Sequence, residues 1–151
     1  MVSKVNSGAV FGLEGNIITV EADTFNALPG IDIVGLADTA VKESKERVKA
    51  AMKNSGYAIP QKRVVINLAP ASTKKNGAYL DLPITVAILK ASGQLVCNIS
   101  DEFMLLGELA LDGVLRPVEG VLPMTMEARR NGITKIIVPR ENAAEAAIVT
   151  D

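Results

Sequence analysis

The segment from Val64 to Gly93 constrains the fold of this chain more than any other, because it joins a strand pattern directly to a helix pattern. Residues 64–68 alternate in the β-branched manner of a half-buried strand, and residues 81–92 carry apolar side chains at helical spacing. Between them lies a polar loop, Pro70 to Tyr79, which includes Gly77. α/β folds use loops of this kind, ahead of a helix N-terminus, to hold ligands or nucleophiles. The sequence therefore predicts an α/β domain whose candidate site is in this loop.

The composition suits an α/β domain. Of the 151 residues, 48% are hydrophobic but only 3% are aromatic and none is Trp, so Val, Ile, Leu and Ala must build the core. A chain of this length forms one domain that buries roughly 70% of the surface its unfolded form exposes. We therefore expect a single domain over residues 1–151.

Charge and cysteine content predict a soluble, cytoplasmic protein. Sixteen Lys and Arg oppose seventeen Asp and Glu, which removes any global electrostatic argument for binding nucleic acid or an anionic membrane. The single Cys97 excludes an intrachain disulfide, and residues 1–15 lack the features of a secretory signal. No apolar run approaches the roughly 20 residues that span a bilayer. We expect no membrane partner.

The remaining segments predict alternating strands and helices without an internal repeat. Glycines at 12 and 15 predict a hairpin between strands at residues 3–11 and 16–23. The expected order is β-β-β-α-β-α-β-β-α-β-α. After the hairpin, we expect strands at 31–34, 64–68, 103–111, 114–118 and 135–138, and helices at 37–55, 81–92, 120–130 and 141–149.

The helix expected at residues 37–55 is amphipathic and ends before Gly56, which suits a left-handed C-terminal position. Its polar face is densely charged, and Glu43 and Arg47 are spaced for an i,i+4 ion pair. A face that only meets water is the ordinary interpretation, and a nucleic-acid surface is the alternative.

Two common kinds of catalytic site are absent from this sequence. There is no His, which excludes Ser-His-Asp triads and most zinc sites. Gly30 to Gly35 has the glycine spacing of a Walker A loop, but Leu36 and Ala37 replace the Lys and the Ser or Thr that contact phosphates and magnesium. We therefore expect no nucleotide hydrolysis, no metal site and no catalytic residue in this segment.

Two features around the central loop suggest catalysis, namely the pair of Ser72 and Lys75 and the carboxylate of Asp81, and each has a structural alternative. Ser72 and Lys75 match the S-x-x-K spacing that can place a lysine beside a serine hydroxyl, but the spacing is short and common, and a solvent-exposed loop is the ordinary interpretation. Asp81 precedes Pro83 and is expected to cap the helix, with its carboxylate accepting a hydrogen bond from the Ile84 amide.

Four basic residues flank the central strand and could converge as an anion-binding patch for nucleic-acid phosphates: Lys62, Arg63, Lys74 and Lys75. Lysines on a loop offer point charges that suit phosphates without selecting a base sequence. The alternative is that these side chains only meet water.

Four long segments closely resemble the N-terminal domain of the competence protein ComM family, the magnesium-chelatase-like AAA+ ATPases also called YifB. They occur in the family's order and read FNALPGIDIVGLADTAVKESKERVKAAMKNSGY, VVINLAPASTKKNGAYLDLPITVAILKASGQL, GELALDGVLRPVEGVLP and GITKIIVPRENAAEAA. The resemblance covers essentially the whole chain.

The resemblance implies a two-layer fold like that of ribosomal protein S5 domain 2, shared with the peptidase domain of Lon and the C-terminal domain of RadA. One βαβ crossover in this fold is left-handed, against the usual rule. Lon-type peptidases carry a serine at the start of the helix after the glycine loop and a lysine on the helix after the G-E-L hairpin. Here those positions fall in Gly77 to Leu82, which has no Ser, and in Gly120 to Arg130, which has no Lys. The resemblance thus implies the fold without the peptidase activity.

The same resemblance implies a role beside an ATPase. In ComM-like proteins this domain precedes an ATPase module that works as a hexameric ring on branched DNA during natural transformation. We expect a non-catalytic assembly or DNA-contact domain without a cofactor, with ATP and magnesium bound by an ATPase domain C-terminal to residue 151. The expected partners are that ATPase domain, further copies of the chain, and DNA. The alternatives are a serine hydrolase of Lon-like fold using Ser72 and Lys75, and a purely structural oligomerisation collar.

Overall fold

The computed structural model describes residues 2–75, 77–96 and 101–149, so Cys97 lies outside the described residues. They form one six-stranded sheet, one small two-stranded sheet, five α-helices and a short 3₁₀ turn at Arg140–Asn142. The strands are β1 (Ser3–Phe11), β2 (Glu14–Phe25), β3 (Gly30–Val34), β4 (Arg63–Ala69), β5 (Phe103–Leu105), β6 (Glu108–Leu109), β7 (Leu115–Arg116) and β8 (Lys135–Ile137). The helices are α1 (Thr39–Lys42), α2 (Ser44–Asn54), α3 (Asp81–Ala91), α4 (Val121–Arg130) and α5 (Ala143–Ala146).

The large sheet is mixed, and its strand order is β3-β4-β2-β1-β5-β8. β4 pairs antiparallel with β2, and β2 with β1, while the pairs β3–β4, β1–β5 and β5–β8 are parallel. The predicted β1–β2 hairpin is confirmed, with Phe11 opposite Glu14 across a turn that begins at Gly12. Gly12 has φ +59°, a conformation that favours glycine at the first turn position of a type II′ hairpin.

One face of the large sheet carries most of the core. Burial alternates along β4, whose residues Val64, Ile66 and Leu68 are buried while their neighbours are partly exposed, as period-2 side-chain placement requires. α3 packs across β1 and β2 on this face, and α2 packs on α3. The Ser3 hydroxyl donates a 2.6 Å hydrogen bond to the carbonyl of Ala87 in α3, which satisfies a buried polar group at this contact.

The α/β prediction is confirmed, but three predicted elements are divided. The helix expected at 37–55 is two helices: Asp38 caps α1 by accepting from the Val41 amide at 2.8 Å, and the chain turns at Glu43 before α2. The strand expected at 103–111 stops after β5, because the backbone of Gly107 pairs with Tyr79 and Leu82 instead. The C-terminal helix divides into the 3₁₀ turn and α5.

No helix among the described residues combines the length and the apolar character that crossing a bilayer requires.

Candidate functional site

A cleft of ≈ 650 Å³ opens between the segment ahead of α3 and the segment ahead of α4. Gly77, Ala78 and Tyr79 line one side, and Pro117 to Gly120 line the other. The β1–β2 hairpin and Glu108 complete the lining. The Lon resemblance placed the serine position within Gly77 to Leu82 and the lysine position within Gly120 to Arg130, and the cleft is lined by residues 77–79 of the first range and by Gly120 of the second.

The chemistry of this cleft differs from that of a serine–lysine site. Its described lining residues include the carboxylates Glu108 and Glu119 and the phenol of Tyr79, but no Ser, Thr, Cys or Lys. The backbone of Gly120 lies close to β1: its φ is +80°, and a Cβ there would lie 2.8 Å from a methyl carbon of Val10. A residue with a side chain at position 120 would therefore press on β1.

Asp81 begins α3 and lies at the centre of a buried hydrogen-bond network. Its side chain is fully buried and accepts from Arg47 Nε at 2.7 Å and from the Ser44 hydroxyl at 2.5 Å. The backbone amide of Leu109 donates to the same carboxylate at 3.0 Å. The carboxylate thus joins α2, α3 and β6 at one point.

The predicted capping role of Asp81 is wrong. The Ile84 amide donates to the Leu80 carbonyl, so the first turn of α3 needs no side-chain cap from Asp81.

The sequence also suggested an exposed partner for Arg47, namely Glu43, which lies 4.0 Å away. The closer partner is Asp81, whose hydrogen bonds raise the pKa of the Arg47 guanidinium. The one sequence signal that the Asp81 side chain is buried is the apolar character of the residues around it in the helix pattern.

Lys75 is fully buried, which neither interpretation of the loop predicted. Its ammonium donates a hydrogen bond to the Pro70 carbonyl. Its backbone amide donates to the Leu36 carbonyl at 3.0 Å, and its carbonyl accepts from the Asp38 amide at 2.9 Å. These bonds fasten the loop between β4 and α3 to the segment that follows β3.

We expect the variant Lys75→Met to be at least as stable as the parent chain at neutral pH. Burial lowers the pKa of the Lys75 ammonium below its ordinary 10.5, because the charged form loses hydration. The unfolded chain therefore binds this proton more tightly, so the parent gains stability as pH rises from the lowered pKa towards 10.5. Denaturation with urea at increasing pH should show this rise in the parent and not in the variant. The exposed neighbour supplies the control, since Lys74→Met should keep the rise.

Ser72 and Lys75 do not form a pair in this structure. Ser72 is exposed, whereas Lys75 is buried and directs its ammonium to Pro70. No hydrogen bond joins the two side chains within the described part of the chain. The short S-x-x-K spacing thus occurs here without the contact that would activate a serine.

The four basic residues of the predicted anion patch are placed differently from one another. Lys62 and Lys74 are exposed, Lys75 is buried, and Arg63 forms a two-pronged ion pair with Asp32 at 2.7 and 2.5 Å. The seven-residue strand β4 separates Lys62 and Arg63 from the two loop lysines by about 20 Å. The structure does not bring the four side chains into one patch. DNA contact by Lys62 and Lys74 stays a prediction.

Comparison with known proteins places the chain in a family. Residues 20–142 match the family model described as subunit ChlI of Mg-chelatase. YifB of Escherichia coli strain K12 is 46% identical over 148 residues, and competence protein ComM of Haemophilus influenzae is 40% identical over 147 residues. Each alignment covers at least 97% of this chain but only 29% of the relative. The chain therefore spans less than a third of the length of these relatives.

A more distant similarity reaches the Lon proteases. Lon protease of Salinispora arenicola is 27% identical over 142 residues, which are 89% of this chain and 18% of that protein. This similarity agrees with the Lon-like α/β fold predicted from the resemblance. Since the match to the ChlI model covers well over half of the chain, the chain belongs to the family of subunit ChlI of Mg-chelatase.

Proposed function

We propose that this chain is the non-catalytic assembly and DNA-contact domain of a cytoplasmic, magnesium-chelatase-like AAA+ ATPase of the ComM type. The observation that carries the proposal is the match of residues 20–142 to subunit ChlI. The identity of 40% to a competence protein over nearly the whole chain supports the ComM type.

In this proposal the chain belongs to a longer protein, and the rest of that protein hydrolyses ATP. The relatives YifB and ComM are more than three times as long as the matched segment, which leaves ample chain for an ATPase domain. ATP and magnesium bind in that domain, and the parent protein assembles as a hexamer. This domain contributes contacts to the ring and to DNA.

The chemistry of the cleft supports a non-catalytic role. At the position where Lon-type peptidases carry their serine, the described cleft residues are Gly77, Ala78 and Tyr79. On the facing side, Val118, Glu119 and Gly120 lead into α4, which contains no Lys. A peptidase of this fold needs both a hydroxyl nucleophile and a basic amine.

We expect Lys74→Ala to weaken DNA binding by this chain. Lys74 is exposed on the loop that follows β4, where its ammonium can contact phosphates. Fluorescence anisotropy with single-stranded and forked DNA at several salt concentrations measures the effect. Loss of one phosphate contact should reduce the slope of log K against log salt by about 1.

A control variant, sedimentation and fluorophosphonate labelling separate this function from the alternatives. Arg116→Ala, at an exposed position of β7, is the control and should bind DNA as the unsubstituted chain does. If Lys74→Ala binds DNA unchanged, the contact lies elsewhere on the surface. If the parent chain binds no DNA and sediments as an oligomer, the oligomerisation collar is the correct function. Labelling of Ser72 by a fluorophosphonate would support the serine hydrolase instead.

A further inference from the structure

The large sheet has two edges, and the longer one is open. β3 is an edge strand of five residues, and within the described residues its backbone pairs only with β4. The other edge strand, β8, has three residues. An open edge presents unpaired N–H and C=O groups, and proteins usually protect such an edge with charges, prolines or bulges. β3, with the sequence GIDIV, carries one charge and no proline.

That one charge is already neutralised. The Asp32 carboxylate accepts hydrogen bonds from Arg63 of β4 at 2.7 and 2.5 Å. These bonds lower the pKa of the Asp32 carboxyl, and the positive charge of Lys45 adds a smaller lowering. The Asp32 carboxylate therefore repels an incoming acidic strand only weakly.

A groove of ≈ 410 Å³ runs beside this edge and carries positive charge. Four residues of β3, from Ile31 to Val34, line it together with Val65, and two lysines close it: Lys42 at the end of α1 and Lys45 in the first turn of α2. Both lysines are exposed, and neither forms an ion pair with another described residue. The groove thus combines free backbone groups, an apolar floor and two cations available to a ligand.

We propose that the open edge of β3 binds an extended acidic peptide segment as an added strand. Its backbone pairs with β3, and its carboxylates contact Lys42 and Lys45. Strand addition of this kind takes affinity from main-chain hydrogen bonds and specificity from the side chains beside the edge.

Two other occupants fit the groove less well. A nucleic-acid strand would satisfy the lysines but cannot pair with the β3 backbone as a strand does. A second copy of this chain, paired β3 to β3, would bring both pairs of lysines together, and like charges across neighbouring strands are unfavourable.

The test uses a fluorescein-labelled peptide of alternating threonine and glutamate with blocked ends, added to the 151-residue chain at low salt. We expect anisotropy to show binding, and a matched threonine–lysine peptide to bind at least about tenfold more weakly. The double variant Lys42→Glu, Lys45→Glu should lose binding by about the same factor. The variant Lys53→Glu, Arg116→Glu has the same charge change at exposed sites outside the groove and should bind as the parent does.

Amide hydrogen exchange gives a second readout that charge alone would not move. The glutamate peptide should slow exchange within Gly30–Val34 and leave Lys135–Ile137 unchanged. Three results would overturn the proposal: no binding, equal binding of the two peptides, or binding without protection in β3. Tighter binding of a single-stranded oligonucleotide than of the peptide, through Lys42 and Lys45, would also overturn the proposal. So would sedimentation of the unsubstituted chain as a dimer that the double lysine variant disrupts.

Discussion

Replacing Asp81 by Ala is expected to lower the free energy of unfolding by about 3–5 kcal/mol, the range found when one partner of a buried ion pair is removed. The Asp81 side chain is fully buried, and Arg47 is only 20% exposed, so water replaces little of the lost contact. The Ser44 hydroxyl and the Leu109 amide also lose their acceptor. Equilibrium denaturation with urea, followed by circular dichroism, measures the change.

The more exposed ion pair between Arg63 and Asp32 supplies the control for the Asp81 variant. Asp32 likewise accepts two hydrogen bonds from an arginine, but its side chain is 45% exposed. Asp32→Ala should therefore cost much less than Asp81→Ala, because water takes the place of the lost ion pair. Equal losses in the two variants would show that the buried network contributes no more than a surface pair.

Gly35→Ala should lower the free energy of unfolding by about 2–5 kcal/mol, through backbone strain and a steric clash together. Gly35 has φ +111°, which side chains rarely adopt, and its Cβ would lie 2.3 Å from the Leu68 carbonyl oxygen. That oxygen belongs to the backbone of β4 and cannot turn aside as a side chain would. The contact lies just ahead of Leu36 and Ala37, which hold the loop through Lys75, so the substitution should also loosen that loop.

A second glycine separates the two causes. Gly132 also has a positive φ, +77°, but no atom lies within 4 Å of the position of an added Cβ. Gly132→Ala should therefore show the backbone strain alone, about 1–2 kcal/mol. The difference between the two variants in thermal or urea denaturation measures the clash with β4. Similar losses in both variants would contradict the close approach at Gly35.

The buried network also bears on the candidate cleft. Asp81 comes just after Gly77 to Tyr79, which line one side of the cleft. Its carboxylate accepts a hydrogen bond from the Leu109 amide and so holds β6, the strand that contains Glu108. The network therefore positions two sides of the cleft through one carboxylate. A variant of Asp81 that remains folded is expected to change the shape of the cleft without adding or removing any of its lining residues.

Much of the local structure could be predicted from contiguous residues. The hairpin of β1 and β2, the strand β4 and the helix α3 were found within two residues of their bounds, because hydrophobic periodicity and glycine positions lie within each segment. The long motifs also identified the family, which the match over residues 20–142 confirms. The parts that failed are those in which a distant segment competes for the backbone. Gly107 is the clearest case, since Tyr79 and Leu82 take the hydrogen bonds that a continuous strand would have used.

Burial and pairing of charged side chains were decided only by the tertiary structure. Asp81 and Arg47 are 34 positions apart, and no periodicity in either helix relates them. Lys74 and Lys75 are neighbours of the same type, yet one is exposed and the other is buried. The sequence by itself determined most of the elements, the aliphatic core and the family, because those depend on local patterns and long motifs. Only packing in three dimensions decided which charges meet water and which meet each other, because that depends on contacts between segments far apart in the chain.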